Sequence, residues 1–509
     1  MALYARIFHP LVTKLHSFTR AETKDYSIKG QVFVANKSGI VKINDAEFVA
    51  ASAHALPVAG FSIEAALEQV KVLYAAGQLK QAQSICKEIL QLDPQNSVAL
   101  QQIGVVSHRL GEWAQARDYF MRLTELDPLD ASAYYNLGHT AVRSADLDLA
   151  FAAFSKTVEL DSTHARAFNN LGVILEQRGE LEQAADYFRE AQALDPEHRL
   201  SRLHLITLLK QLQRVAECAE LIDSTLNLNS LSPDERGTLL VERAVIAWLQ
   251  GDIDACRRAL RLSKHLLPHM QNAKTAATPM LQNLIDLLEF RYRHPEVYEG
   301  KYDREAYYIA DESCLAAADT IITLEVTRYL IVPYLVADAT ARDFASSSAN
   351  TAKLSFNAAL EELPNKSLVI VGFGARDCRC ADGMLEQIKV YKKNLQSGLK
   401  SLAEDYVSYI AKHTQAKELR VILCGVAACH ENLQQLSPPE QQKALYVIEH
   451  YNRYLADAAT RQGMGLLDLY TASVGERGWA KDSYYLNRQM LLPSVFAEIS
   501  KQYLLAPRP

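Results

Sequence analysis

Residues 131–162 read ASAYYNLGHTAVRSADLDLAFAAFSKTVELDS, and residues 165–196 read ARAFNNLGVILEQRGELEQAADYFREAQALDP. The second line lies 34 residues beyond the first. Asn136-Leu137-Gly138 aligns with Asn170-Leu171-Gly172, Ala150 with Ala184 and Phe154 with Phe188. The same offset carried toward the N-terminus meets Ala116 and Ala82, then Phe120 and Cys86. Turn positions fall at Gly77, Gly111, Ala145 and Gly179, and Leu-Asp-Pro ends the unit at Pro94, Pro128 and Pro196, with Ser162 in the third slot. Each unit therefore predicts two antiparallel helices, broken at the glycine and closed at the proline, which cannot continue a helix. Neither helix of such a pair can bury its apolar face alone, so several pairs must stack.

The 34-residue period with its Leu-Gly, Ala, Phe, Pro order resembles the tetratricopeptide repeat, or TPR. The resemblance implies an all-α superhelical solenoid whose groove binds a partner chain. Four clear units span residues 63–196. Two weaker ones follow at 199–228 and 237–268, and a helix from Thr278-Pro279 to about Phe290 is expected to cap the stack with a polar outer face. Residues 1–60 are not repeat-like; stretches 31–35 and 40–43 around Asn36-Lys37-Ser38-Gly39 predict a hairpin. The domain boundary is expected near residue 300.

The repeat register predicts which side chains line the groove. Gln102, Asn136 and Asn170 form one column, preceded by Glu68. A carboxamide donates and accepts at once, so this ladder can pair with the backbone of an extended peptide of any sequence. The same asparagines could equally satisfy neighbouring helices. His108, Arg109, His139 and Arg143 stand on nearby columns and favour an acidic segment or a terminal carboxylate.

Beyond residue 300 apolar strands alternate with long helices. Strands are expected at 307–310, 329–332, 368–372, 419–425 and 465–469, and helices at 382–414, 438–462 and 491–503. This succession predicts a three-layer α/β domain with a doubly wound parallel sheet, its crevice beyond the carboxyl ends of the strands. The strand at 368–372 runs into Phe373-Gly374-Ala375-Arg376-Asp377-Cys378-Arg379. With the order of elements around it, this stretch resembles the SGNH/GDSL-like hydrolase superfamily over about residues 305–505. Phe373, Gly374, Asp377, Cys378 and Arg379 match a block of bacterial members, whereas Ala375 and Arg376 do not.

The resemblance implies a nucleophilic serine after the first strand, an oxyanion asparagine in the third block and an Asp-x-x-His base near the C-terminus. Here Ala310-Asp311-Glu312-Ser313 puts Glu312 at the serine in strict register and Ser313 there with a one-residue shift. Arg376 takes the asparagine's place, and Asp482 is followed by Tyr485 where histidine should stand. A phenol titrating near ~10 is a poor base at neutral pH. Three altered blocks predict an inactive, repurposed domain; the alternative is an esterase or acyltransferase acting on a glycan or protein. An anion could still be held by Gly374, Arg376, Asp377 and Arg379, and His430 is the histidine placed to restore chemistry.

Composition narrows the classes. The 509 residues are 49% hydrophobic and 22% charged with a formal net charge of -6, which describes a globular chain and argues against general nucleic-acid affinity. No run is long enough to span a membrane. Arg6, Lys14 and Arg20 precede the first acid, Glu22, which suits a membrane surface, a transit peptide or, as expected here, a helix docked on its own protein. Eight scattered cysteines, several in core columns of the repeats, predict reduced thiols and a cytoplasmic location. Cys378-x-Cys380 and Cys424-x4-Cys429-His430 lack the spacing of a zinc knuckle, and no phosphate-binding glycine fingerprint precedes a helix, so neither metal nor cofactor is expected.

Overall fold

The computed structural model of the chain describes residues 24–28, 31–36, 39–42, 62–266, 277–378, 383, 394–428, 437–475, 480–481, 485, 490–502 and 504–505. Its contacts divide the chain into two compact units, residues 1–174 and 175–509. The change in sequence character near residue 300 is thus not where contacts thin out.

The first unit opens with an antiparallel sheet of β1 (Lys24–Ile28), β2 (Gln31–Asn36) and β3 (Gly39–Lys42). The sequence had suggested only the β2–β3 hairpin. Helices α1 (Ile63–Ala75), α2 (Leu79–Leu92), α3 (Ser97–Arg109), α4 (Trp113–Leu126), α5 (Ala131–Arg143) and α6 (Leu147–Leu160) follow in pairs, and α7 (Ala165–Arg178) crosses the division. Ser62, Asn96 and Asp130 start α1, α3 and α5 by accepting backbone N–H groups that have no intrahelical partner. Gly77 and Gly111 then turn the chain at φ of 74° and 79°. Ala145 does so at 59°, where its methyl group is strained.

Ala82, Ala116 and Ala150 are wholly buried, as are Cys86 and Phe154, with Phe120 at 1% exposure. A Cβ on Gly104 or Gly138 would lie 2.7 or 2.8 Å from the Phe120 or Phe154 ring. The glycine of each first helix therefore makes room for the phenylalanine of its second. Burying each ring stabilises the pair by about 1.5–3 kcal/mol.

The second unit continues with α8 (Leu181–Leu194), α9 (Arg199–Gln211), α10 (Val215–Thr225), α11 (Pro233–Leu249), α12 (Ile253–Leu266) and α13 (Ala277–Arg293). A capping box between Ser232 and Glu235, with proline at the first position, starts α11. The helix expected as a cap at 278–290 is α13, with Gln282 and Glu289 exposed on its outer side, but the stack is also covered at α11. Trp248 of α11 is fully buried in one cluster with Cys256, Leu284 and Leu287, and with Leu315, Ala316, Ala318 and Met490 of the α/β region. Its indole donates to the Leu315 carbonyl (2.9 Å), Gln213 donates to the Leu335 carbonyl (3.1 Å), and Arg291 pairs with Asp319 (3.0 Å). The apolar face of α11 is thus covered by the α/β region.

The α/β region comprises β4 (Arg304–Ala310), α14 (Cys314–Ala317), β5 (Ile321–Leu324), β6 (Thr327–Leu335), α15 (Ala341–Ala345), α16 (Thr351–Glu362), β7 (Leu368–Gly372), α17 (Leu395–Thr414), β8 (Arg420–Cys424), α18 (Pro438–Arg461), β9 (Gly465–Leu467), α19 (Leu469–Ser473), α20 (Pro493–Gln502) and β10 (Leu504–Leu505). The sheet order is β10-β9-β8-β7-β4-β6-β5. Strands β6, β4, β7, β8 and β9 are parallel, whereas β5 and β10 are antiparallel edges that the sequence reading missed. The sheet is therefore mixed rather than purely parallel.

Side chains alternate between two cores. Ile309, Val369, Val371, Val421, Leu423 and Leu466 pack with α15 to α18. Tyr308, Ala310, Ile331, Ile370, Ile422 and Cys424 pack with α14, α19 and α20. With β4 between β6 and β7, the chain leaves β4 toward one edge and later returns to build toward the other. That reversal sets the switch point, where the sequence reading expects its crevice, at the carboxyl ends of β4 and β7.

Among the described residues, no helix is long and apolar enough to cross a membrane.

Candidate functional site

Two loops line the crevice, 311–313 after β4 and 373–378 after β7. Asp311 is buried and accepts the Ser313 backbone N–H (3.0 Å). Burial, aided by the neighbouring Glu312 charge, pushes its carboxyl up to about 6. Ser313 is exposed, and its hydroxyl meets the Tyr308 hydroxyl at 3.3 Å. Tyr308 is buried, stacked on Phe496 at 5.3 Å between ring centroids, and held protonated because burial raises it well above the phenol range. Among the described residues, the Ser313 hydroxyl thus meets this phenol and the Asp311 carboxylate, with no histidine hydrogen-bonded to it.

Gly374 sits at φ +121°, and a Cβ there would lie 2.8 Å from the Tyr451 hydroxyl. Only glycine fits this turn. Arg376 pairs with the Asp338 carboxylate (2.5 Å) and donates to the Asp338 carbonyl (3.2 Å), and the Glu312 and Asp311 carboxylates act on it as well. Asp338 N–H donates to Glu312 (3.3 Å).

Asp377, expected to help hold an anion, is turned into the protein. Its carboxylate accepts Ala341 N–H (2.6 Å) and Arg342 Nε (2.5 Å) at the start of α15. It therefore anchors a helix, and three acidic neighbours already act on Arg376. Tyr485 donates from its hydroxyl to the Ala428 carbonyl beyond β8 (2.5 Å). Asp482, Arg379 and His430 lie outside the described residues, as do Cys380, Cys429 and the basic N-terminal residues Arg6, Lys14 and Arg20.

In the repeats, Asn136, His139 and Arg143 recur at positions i, i+3 and i+7 on one face of α5. Gln102 and Arg109 hold the matching places on α3. Among the described residues, the Asn136 and Asn170 carboxamides have no hydrogen-bond partner, and the Gln102 Oε1 atom is buried without one. Arg109 lies over the Tyr74 ring (4.8 Å) and Arg143 over the Trp113 ring (5.1 Å). His108 meets Thr140 Oγ1 at 3.1 Å and His139 at 3.2 Å, and contacts Trp113 edge-on. Burial first, then the His139 and Arg143 charges for His108 and the Arg143 charge for His139, holds both rings below the ordinary imidazole value. Tyr74, Trp113 and Thr140 were not singled out in the sequence. The shared spacing of Arg109 and Arg143 is the signal that could have led to them.

Residues 73–138 and 137–199 match models described as tetratricopeptide repeat. No curated protein matches the chain. Among solved structures, a MamA crystal structure is 20% identical with a TM-score of 0.30, covering 33% of this chain and 94% of that one. PilF of Pseudomonas aeruginosa is 19% identical with a TM-score of 0.34, covering 42% and 94%. YrrB, described as a TPR protein with an unusual peptide-binding site, is 20% identical with a TM-score of 0.29, covering 32% and 84%. Likenesses this distant carry no argument about function. Residues 73–199 are a run of tetratricopeptide repeats.

Proposed function

We propose that the chain is an interaction scaffold whose repeats hold an extended segment of a partner protein, and whose α/β region is an SGNH-hydrolase-like domain without a working triad. The observation that carries the first part is the pair Asn136 and Asn170, spaced by one repeat and without partners among the described residues. Carboxamides that braced neighbouring helices would be engaged with them. The second part is supported by the parallel strand order and by Ser313, whose hydroxyl meets a protonated phenol and, among the described residues, no histidine. A serine without a base stays a weak nucleophile. Buried free thiols at Cys86, Cys218, Cys256, Cys314, Cys378 and Cys424 support a reducing, cytoplasmic setting.

The test has two arms. Asn136→Ala with Asn170→Ala should release a co-purifying partner by about 5- to 100-fold in affinity while the fold survives. Full retention of the partner would reject this binding face. Ester hydrolysis and acetyl release should be absent from the wild type. Activity that disappears with Ser313→Ala would make the domain an esterase or acyltransferase instead.

A further inference from the structure

The hydrogen bonds around His108 have a fixed direction. Thr140 gives its own proton to the Asn136 carbonyl (2.8 Å), so its oxygen can only accept from His108 Nδ1–H. His108 Nε2 is then a bare acceptor, filled by His139 Nδ1–H. The chain therefore ends at His139 Nε2, a lone pair on an exposed side chain. A proton arriving there leaves every bond in the chain intact. A proton on His108 Nε2 would break its bond to His139. Acid therefore charges His139.

The surroundings are cationic. Arg143 lies one turn along α5, Arg109 is beside His108 on α3, and α4 presents uncharged Trp113. Past Tyr135 lies His164, at the start of α7. Glu112, next to Trp113 in the chain, is held by Lys80 and Gln83. Among the described residues, no carboxylate acts on either imidazole or pairs with Arg109 or Arg143. Most arginines of the later helices, such as Arg189, Arg199, Arg243 and Arg291, do have acidic partners. Two unpaired guanidinium groups held on aromatic rings in adjacent repeats form a site awaiting more than one negative charge.

We propose that Arg109, His139 and Arg143 bind side-chain carboxylates of an extended acidic peptide, and that His139 takes up a proton at Nε2 as the peptide binds. The inference rests on the scaffold reading and gives its partner a chemistry. A carboxylate at His139 stabilises the imidazolium and opposes Arg143, so binding and protonation reinforce each other. Each proton taken up can tighten binding by as much as about tenfold per pH unit.

The experiment uses the full chain and a labelled oligoglutamate peptide, whose side chains stay ionised down to about pH 5.5 because glutamate titrates near ~4.3. Affinity should rise about tenfold between about pH 7.5 and about pH 5.5, and calorimetry in two buffers should register uptake of about one proton. His139→Gln should lose the pH dependence, so that its affinity at about pH 5.5 is no higher than at about pH 7.5, and should lose the proton uptake seen by calorimetry. Imidazole nitrogen shifts should report Nδ1–H on both histidines. Equal affinity at both pH values, with binding still abolished by Arg143→Ala, would overturn the proton linkage and leave the scaffold reading standing. Equal capture of oligoglutamine, or loss of binding on amidating the peptide's C-terminus, would overturn the side-chain carboxylate assignment. Failure to bind oligoglutamate at either pH would overturn the inference, while the partner-release experiment would decide the scaffold separately.

Discussion

The repeats of the first unit and the α/β region bury polar groups in different ways. In the repeats, the buried polar side chains are amides and hydroxyls: Gln83, Ser107, Thr140, Thr157 and Asn169. Thr140 and Thr157 return their protons to carbonyls of their own helices. The α/β region buries the carboxylates Asp311 and Asp377 as well. Asp377 is compensated by Arg342 and a helix start, while Asp311 has the Ser313 hydrogen bonds and the Arg376 charge set against its burial and an acidic neighbour. Among the described residues, the first-unit repeats bury no charged side chain, whereas the loops after β4 and β7 bury two carboxylates. A carboxylate so compensated at a strand end is held at some cost to stability.

The largest expected effect is Gly374→Ala. The left-handed backbone and the Tyr451 contact should together cost the α/β region about 2–4 kcal/mol. Hydrogen exchange should accelerate in α17 and α18 and stay unchanged in α3 to α6. Equal acceleration in both would erase the distinction between the units. In the repeats, Ala150→Leu should overpack a wholly buried position and cost about 1–3 kcal/mol, read by thermal unfolding. An unchanged melting temperature would mean that the helix contact is looser than its burial indicates.

Asp311→Asn should have the opposite sign. The folded carboxyl lies above its unfolded value, so between about pH 4 and 6 the native state binds more protons and stability falls as pH rises. The substitution should stabilise the α/β region by about 1–3 kcal/mol above pH ~6 and by nothing below pH ~4. His108 and His139 behave in reverse. Their folded values are depressed, so they support the repeats above the ordinary imidazole value and lose that support on acidification. Acid should thus weaken α3 to α5 and strengthen the crevice, a divergence that pH-dependent hydrogen exchange can follow. The smallest effect is Ala145→Gly, which relieves a left-handed alanine and should raise stability by about 0.5–1 kcal/mol.

The repeat columns were legible because periodicity is local: Ala150, Phe154 and Gly138 announce their packing 34 residues before it recurs. The parallel strands were legible as apolar runs, and β7 keeps the bounds expected for it. The edge strands were not, because β5 spans four residues and β10 two, too short for a pattern. The role of Asp377 was hidden because its partners Ala341 and Arg342 lie 36 and 35 residues away on another element. The His108–His139 bond was hidden for the same reason. Its members were visible one by one, but the direction of the chain depends on Thr140, which looks like any core threonine.

The burial of Trp248 against Leu315 also bears on how such a chain can lengthen. A unit of 34 residues duplicated within 63–160 inserts a pair between like neighbours and leaves every column with a partner. The same duplication after α11 would have to copy a surface shaped for Trp248, Cys256 and Leu284 on one side and for Leu315 and Met490 on the other. Growth and loss of repeats are therefore open in the first unit and closed beside the α/β region. Homologues should differ in length ahead of residue 174 and keep the spacing between Trp248 and Leu315.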